Sequence, residues 1–277
     1  MVAAVLLALA VGPSPVPAPA VAPSPQRVLA LIRNQFRSHR PPPAYVTYTL
    51  IRKQMASNGY PDLAESYTKH IWVRSSDRAA LFRFVYRDDA RGPLQFDRPA
   101  FNEARDPGPP TADIFEPAPL HPRPVDFVPT PEPQYTQLPV IGGVSVTLEF
   151  DYQVTNVVTE GNDLHVSVQP KRDPDRNRIR EIWADKRTYE LHKLVATDKL
   201  FVEGRDARVY PATDTIIMGM LQGVPVVTSV HADVGGGYND DGKEIDITFK
   251  DIAFPQSLPP WYFDPHTYAQ HQNDAPS

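Results

Sequence analysis

Cysteine is absent from all 277 residues. That removes disulfides, thiolate metal sites, a cysteine nucleophile and the lipid-modified N-terminal cysteine of a lipoprotein. Long basic runs are missing too and the formal charge is only -5, so neither nucleic acid nor an anionic bilayer finds an electrostatic foothold. Membrane contact is expected to be transient at most. No Gly-x-Ser-x-Gly elbow, phosphate loop or dinucleotide fingerprint occurs, so no hydrolase or cofactor signature supports an enzyme, and no cofactor is expected. With 41% hydrophobic and 22% charged residues, the composition is that of a soluble chain with one sizeable core or two small ones.

Proline is the residue in excess. Its 32 copies gather mainly between Pro13 and Pro43 and between Pro93 and Pro139, and regular structure should fail there for want of backbone N–H donors. Ahead of the first stretch, MVAAVLLALAV is too short to span a bilayer but suits the apolar region of a secretory signal, with Ala18-Pro19-Ala20 offering small residues for cleavage near Val21. A basic residue before it is lacking, which keeps a retained anchor and a disordered tail as alternatives. The expectation is export to the periplasm or beyond. Residues 1–23 then form signal and linker, 24–265 one domain, 91–140 a proline-rich insertion within it, and 266–277 a polar tail.

Ser24 caps a helix with Pro25 at its first position, and Val28, Leu31, Ile32, Gln35 and Phe36 share one face. After Pro41-Pro42-Pro43, Val46, Tyr48 and Leu50 alternate with threonines in a strand pattern. Further strands are expected at Tyr67 to Arg74 and at Ala80 to Tyr86, the latter with Ala80, Phe82, Phe84 and Tyr86 on one side. The clearest alternation is VSVTLEFDYQV, which puts Val144, Val146, Leu148, Phe150, Tyr152 and Val154 on one side. Such a pattern marks an antiparallel sheet with one apolar face. A turn at Glu160 to Asp163 leads to Leu164, Val166 and Val168. Arg180 to Lys199 reads as strand, turn, strand because its neighbours are strands, and Val224 to Val234 and Glu244 to Ile252 complete the set. Tyr210 to Leu221 has no assignment by pattern.

About nine strands at roughly 4.8 Å spacing make a sheet some 40 Å across, whereas a helix of about thirteen residues is roughly 20 Å long. One helix cannot cover that apolar face. The sheet must curl, the insertion must fold over it, or an apolar ligand must fill it. Phe96, Phe101, Ile114, Phe115 and Phe127 are the expected anchors of the insertion.

HIWVRSSDRAALFRF, FDYQVTNVVTEGNDLHVSVQPKRD and REIWADKRTYELHKL resemble successive strands of the periplasmic lipoprotein-carrier, or LolA-like, family. Trp72-Val73 and Leu81-Phe82 sit in the matching strands. The resemblance implies a mostly β fold with an N-terminal α-helix, a curved antiparallel half-barrel around an apolar cavity that holds acyl chains. The thirteen prolines between Pro93 and Pro139 depart from the strand pair and short lid helices of that family. The residues expected to line an apolar ligand site are Val46, Tyr48, Leu50, Trp72, Phe82, Phe84, Val146, Leu148, Phe150, Val166 and Val168; core packing explains the aromatic ones equally well. The partners implied are an apolar ligand or lipoprotein acyl chains. The alternative is an envelope sensor that docks a protein partner on the same fold.

Bland readings win over chemical ones elsewhere. Ser66-Tyr67-Thr68-Lys69 has the Ser-x-x-Lys spacing but no Lys-Thr-Gly or Ser-Asp-Asn partner. Asp173, Asp175 and Asn177 imitate the start of a calcium loop, yet Arg178 stands where glycine is needed. Asn239 to Gly242 is a turn signal, and His266 and His271 lie in the polar tail. No metal is expected.

Overall fold

A computed structural model describes residues 23–41, 43–54, 65–89, 92–93, 100–101, 109–111, 114–115, 151–202, 208–235 and 243–274. Ten long antiparallel strands and two short ones form one open, curved sheet, a half-barrel with the N-terminal helix packed against it. The expected segments at 1–22 and 144–150 lie outside the described residues.

The helix α1, Pro25–Ser38, starts where the sequence places it, with the Ser24 side chain accepting from the Arg27 backbone N–H. Its buried face differs from the expected one. Val28, Leu29, Ala30, Ile32 and Arg33 are buried, whereas Leu31, Gln35 and Phe36 are only half-buried, because the helix is rotated to fit the strands beneath it.

The strands are β1 Tyr45–Gln54, β2 Glu65–Arg74, β3 Ala79–Asp89, the short β4 Gly92–Pro93 and β5 Ala100–Phe101, then β6 Tyr152–Glu160, β7 Asp163–Pro170, β8 Ile179–Asp185, β9 Leu191–Val202, β10 Arg208–Leu221, β11 Val224–Val234 and β12 Lys243–Ala253. They lie in the order β4-β3-β2-β1-β12-β11-β10-β9-β8-β7-β6, with β5 also on β3. The segment without a sequence assignment is β10. The β10–β11 turn has Gln222 at φ 52° and Gly223 at φ 79°, the two positive values a tight two-residue hairpin turn requires.

The connection from β3 to β6 joins opposite edges of this sheet. Its described waypoints cross the molecule: Phe101 pairs with Leu81 on β3, the Pro110 carbonyl accepts from Val227 N–H on β11, and Phe115 packs edge-on against Phe36 of α1 at 5.5 Å. Three of the expected anchors, Phe101, Ile114 and Phe115, thus meet the rest of the fold; Phe96 and Phe127 lie outside the described residues.

Two apolar clusters occupy the concave face. One joins α1 and Phe115 to β6–β9 through Val166, Ile182 and Leu194; the other is built from β1–β3 and β10–β12 around Leu50, Ile71 and Phe249. On the convex face, Pro265–Tyr268 (α2) and the flanking 3-10 turns bring Tyr262 and Tyr268 onto Leu81. Of the expected polar tail 266–277, residues 266–274 are therefore helical, and Tyr268 is buried.

Among the described strands β6 stands at an edge of the sheet, and α1 guards its start. The Gln26 side-chain amide donates to the Tyr152 carbonyl at 3.2 Å and accepts from the Val154 N–H at 3.2 Å, imitating one rung of a further strand on an edge that would otherwise invite pairing. Gln26→Ala is expected to speed hydrogen exchange at the Val154 amide about ten-fold or more, by analogy with loss of a local opening barrier near 1.4 kcal/mol. Exchange unchanged from wild type would show that the rung adds no protection.

Candidate functional site on the concave face

Cross-strand register resolves the concave face into rows. Val46 pairs with Val73, which pairs with Ala80; Tyr48 pairs with Ile71, which pairs with Phe82; and Leu50 pairs with Phe249 and with Lys69, which in turn faces Phe84. The next row runs Ile182, Leu194, Ile216, Val230, Ile247, Arg52 and Tyr67. The one beyond it runs Ile179, Ala196, Asp214, Ala232, Ile245 and Gln54.

Most of the expected site residues fall on this face. Val46, Tyr48, Leu50, Phe82, Val166 and Val168 are all buried, and Phe84 occupies a matching register position. They divide between the two clusters, with Val166 and Val168 under α1 and the others in the second. Val146, Leu148 and Phe150 lie outside the described residues. Trp72 does not belong with them. It pairs with Thr47 and Leu81, on the opposite face from Ile71, Val73 and Phe82, and its ring meets Tyr262 edge-on at 6.0 Å. β2 is apolar on both sides here because the C-terminal turns cover its convex face. A bulge in β3 also shifts the register, so that Tyr86 pairs with Thr68 instead of continuing the Phe82 and Phe84 side.

The face is less apolar than the alternation implied. Lys69, at 2% exposure, places its Nζ 4.5 Å from the Tyr67 ring centre and 5.7 Å from that of Phe82, and the Arg52 guanidinium stands 5.6 Å from Tyr67. Rings facing a desolvated cation supply attraction through their negative faces. Arg52 also donates to the Gln54 side-chain carbonyl at 3.0 Å. The Ser66 to Lys69 stretch is thus part of β2, with its lysine turned into the core among aromatic rings.

At the other end of the face, Asp198 of β9 sits diagonally from Asp214 of β10 and pairs with Arg178, which precedes β8. Burial first, and then the neighbouring Asp198 carboxylate, push Asp214 up to about 8. One proton therefore stays on the acid pair at neutral pH. Beside it opens a cavity of about 680 Å³ lined by both polar and apolar groups, among them Arg178, Asp198, Ala212 and Val234.

No protein-family model matches the chain and no curated protein matches it in sequence. Solved structures do align with it. A DUF1329 family protein from Desulfovibrio piger is 8% identical, with 87% of this chain and 98% of that chain covered and a TM-score of 0.40. The Mycobacterium tuberculosis lipoprotein LppX is 10% identical, covering 85% and 98% at a TM-score of 0.26. The complex of MucA and MucB from Pseudomonas aeruginosa aligns at 12% identity, 85% and 100% coverage and a TM-score of 0.20. Strand order and register, not these likenesses, define the fold.

The acid pair and the buried cations escaped the sequence reading, although a signal for them existed. Ala212, Asp214, Ile216 and Met218 alternate, as do Tyr67, Lys69, Ile71 and Val73, so period two alone would have placed Asp214 and Lys69 inward. The calcium-like stretch is a loop in which Asn177 N–H donates to the Asp173 carbonyl at 2.8 Å and the Asn177 side-chain amide donates to the Arg172 carbonyl at 2.9 Å.

Proposed function

We propose that this chain is a non-enzymatic binding or carrier protein of the cell envelope that shelters an acyl chain or another apolar ligand against the concave face of its sheet. One observation carries the reading. The β1–β3 and β10–β12 half of that face carries an extended apolar cluster, with Lys69 and Arg52 among its rings, and among the described residues that cluster is drawn from strands and the residue Phe254 just after β12. α1 belongs to the other cluster. An apolar lining of that extent suits an acyl chain or another apolar ligand. Export follows from the apolar N-terminal segment of the sequence.

Phe82 tests it. In a filled core, Phe82→Ala costs about 3 to 5 kcal/mol, whereas beside a ligand cavity the loss is nearer 1 to 2 kcal/mol, because part of the vacated space was already empty. The carrier reading expects the smaller loss in a urea melt, together with several-fold weaker uptake of a fluorescent fatty acid. A large loss with no uptake by the wild type identifies ordinary core and transfers the function to the alternative, docking of an envelope protein partner.

A further inference from the structure

The second half of β6 lacks the guards that edge strands ordinarily carry. Its first half has two: the Gln26 side chain occupies the Tyr152 carbonyl and the Val154 N–H, and a bulge at Thr155 breaks the register with β7. Neither continues toward the turn. Thr155, Asn156, Val158, Thr159 and Glu160 are exposed, and the segment Thr155-Asn156-Val157-Val158-Thr159 holds no charge and no proline. Glu160 is the only charged residue of β6. Its carboxylate is drawn onto the convex face, where it accepts from Trp183 Nε1 at 3.0 Å and lies 2.7 Å from His165 Nδ1. The other margin of the sheet differs, since β4 is two residues long and ends in Pro93, which cannot donate to a further strand.

Backbone alternation decides which groups this edge presents. Gly161 stands at φ 63° in the two-residue turn after Glu160, so Glu160 and Asp163 close the hairpin with mutual hydrogen bonds. Val158 with His165, and Asn156 with Ser167, follow by alternation. The N–H and C=O groups of Val157 and Thr159 then point away from β7. Among the described strands none lies beyond β6.

The segment also matches its own reverse. In an antiparallel arrangement centred on Val157, Val157 comes opposite Val157 of a second copy, Asn156 opposite Val158, and Thr155 opposite Thr159. Valine and threonine pairs of this kind stabilise a ladder, and no like charges meet. Val157 packs against the α1 cluster on the concave side, so the clusters of two copies would adjoin at the seam. We infer that β6 is a self-association edge, at which two copies of this chain pair antiparallel about Val157 and join their sheets with both concave faces on the same side. Such a two-fold contact is closed and leaves only the margins at β4. It goes beyond the carrier reading and does not depend on it.

Sedimentation velocity of the full-length protein from about 1 to 200 μM, paired with hydrogen exchange at single amides, tests the inference. A ladder of about five residues a side is smaller than a standard interface, so the dimer is expected to dissociate at roughly 10 to 100 μM. Across the range the Val157 and Thr159 amides should slow by about three-fold or more, while those of Asn156 and Val158, bonded to β7, stay protected throughout. Thr159→Pro removes an outward N–H at an exposed position of an edge strand, where proline is tolerated, and should weaken the dimer by about ten-fold or more. A protein that stays monomeric across the range overturns the inference. So does a dimer in which Val157 and Thr159 exchange at their monomer rates, because its interface then lies elsewhere. The wild-type amides decide the matter even if Thr159→Pro fails to fold.

Discussion

Leu194→Ala is expected to remove about 3 kcal/mol of stability, a large fraction of the total for a domain of this kind. Leu194 is 1% exposed in the middle of β9, paired with Ile182 on β8 and Ile216 on β10, and it shares a cluster with Val28, Leu29 and Ile32 of α1. Truncation leaves a void between a sheet and a helix, and neither can close over it without breaking the ladder or lifting the helix. Val158→Ala on the edge strand is the control: Val158 is 44% exposed, and its truncation should stay within about 0.5 kcal/mol. Both are read from urea midpoints at constant slope. A Leu194→Ala loss below about 1 kcal/mol would mean that α1 does not close over β6–β9 as a packed layer.

The second large effect is on pH dependence. The Asp214 carboxyl has an ordinary value of 3.8 and is pushed up to about 8 in the folded protein, chiefly by burial and then by Asp198. Between those values the unfolded chain has released a proton that the folded chain retains. The Asp214 contribution is therefore fully present below about pH 4 and declines as pH rises toward 8, by at most about 1.4 kcal/mol per pH unit. Asp214→Asn, which has the shape of the protonated acid, should flatten that decline. His231, raised by its hydrogen bond to Asp246, tilts stability the same way above 6.5, so the informative quantity is the difference between variant and wild type. Asp77 is held down to about 2 by its hydrogen bond with Arg74 and lies outside the window. Chemical melts at pH 5, 6, 7 and 8 supply the comparison. Parallel profiles for the two proteins would refute a protonated Asp214.

Local pattern made much of the fold legible. Turn signals bound β11, and Val224–Val234 has the bounds that the sequence suggested, while β8, Ile179–Asp185, opens the stretch Arg180 to Lys199 that was expected as strand, turn, strand. β10 escaped because Pro211 and Gly219 interrupt it. Its identity as a strand comes from its neighbours, since β9 and β11 each pair along it. The candidate site was legible only in part. Equating apolar with inward placed Val46, Tyr48 and Leu50 correctly but put Trp72 on the wrong side, because nothing local announces that residues 260–268 return to cover the convex face of β2 and β3. The same equation hid Asp214, Lys69 and Arg52, whose inward position follows from period two while their chemistry argues against it.

The pairing of β1 with β12 has a topological consequence. The first and last long strands are neighbours at the middle of the sheet, while β3 and β6, consecutive among the long strands, stand toward opposite margins. If the chain were opened between β5 and β6 and its two ends were joined, the spatial order would become β6 through β12, then β1, β2 and β3. Every long strand would then lie beside its neighbour in the chain. The fold is in this sense a simple up-and-down meander read from a different starting point, and the proline-rich connection is the link that closes the circle across it.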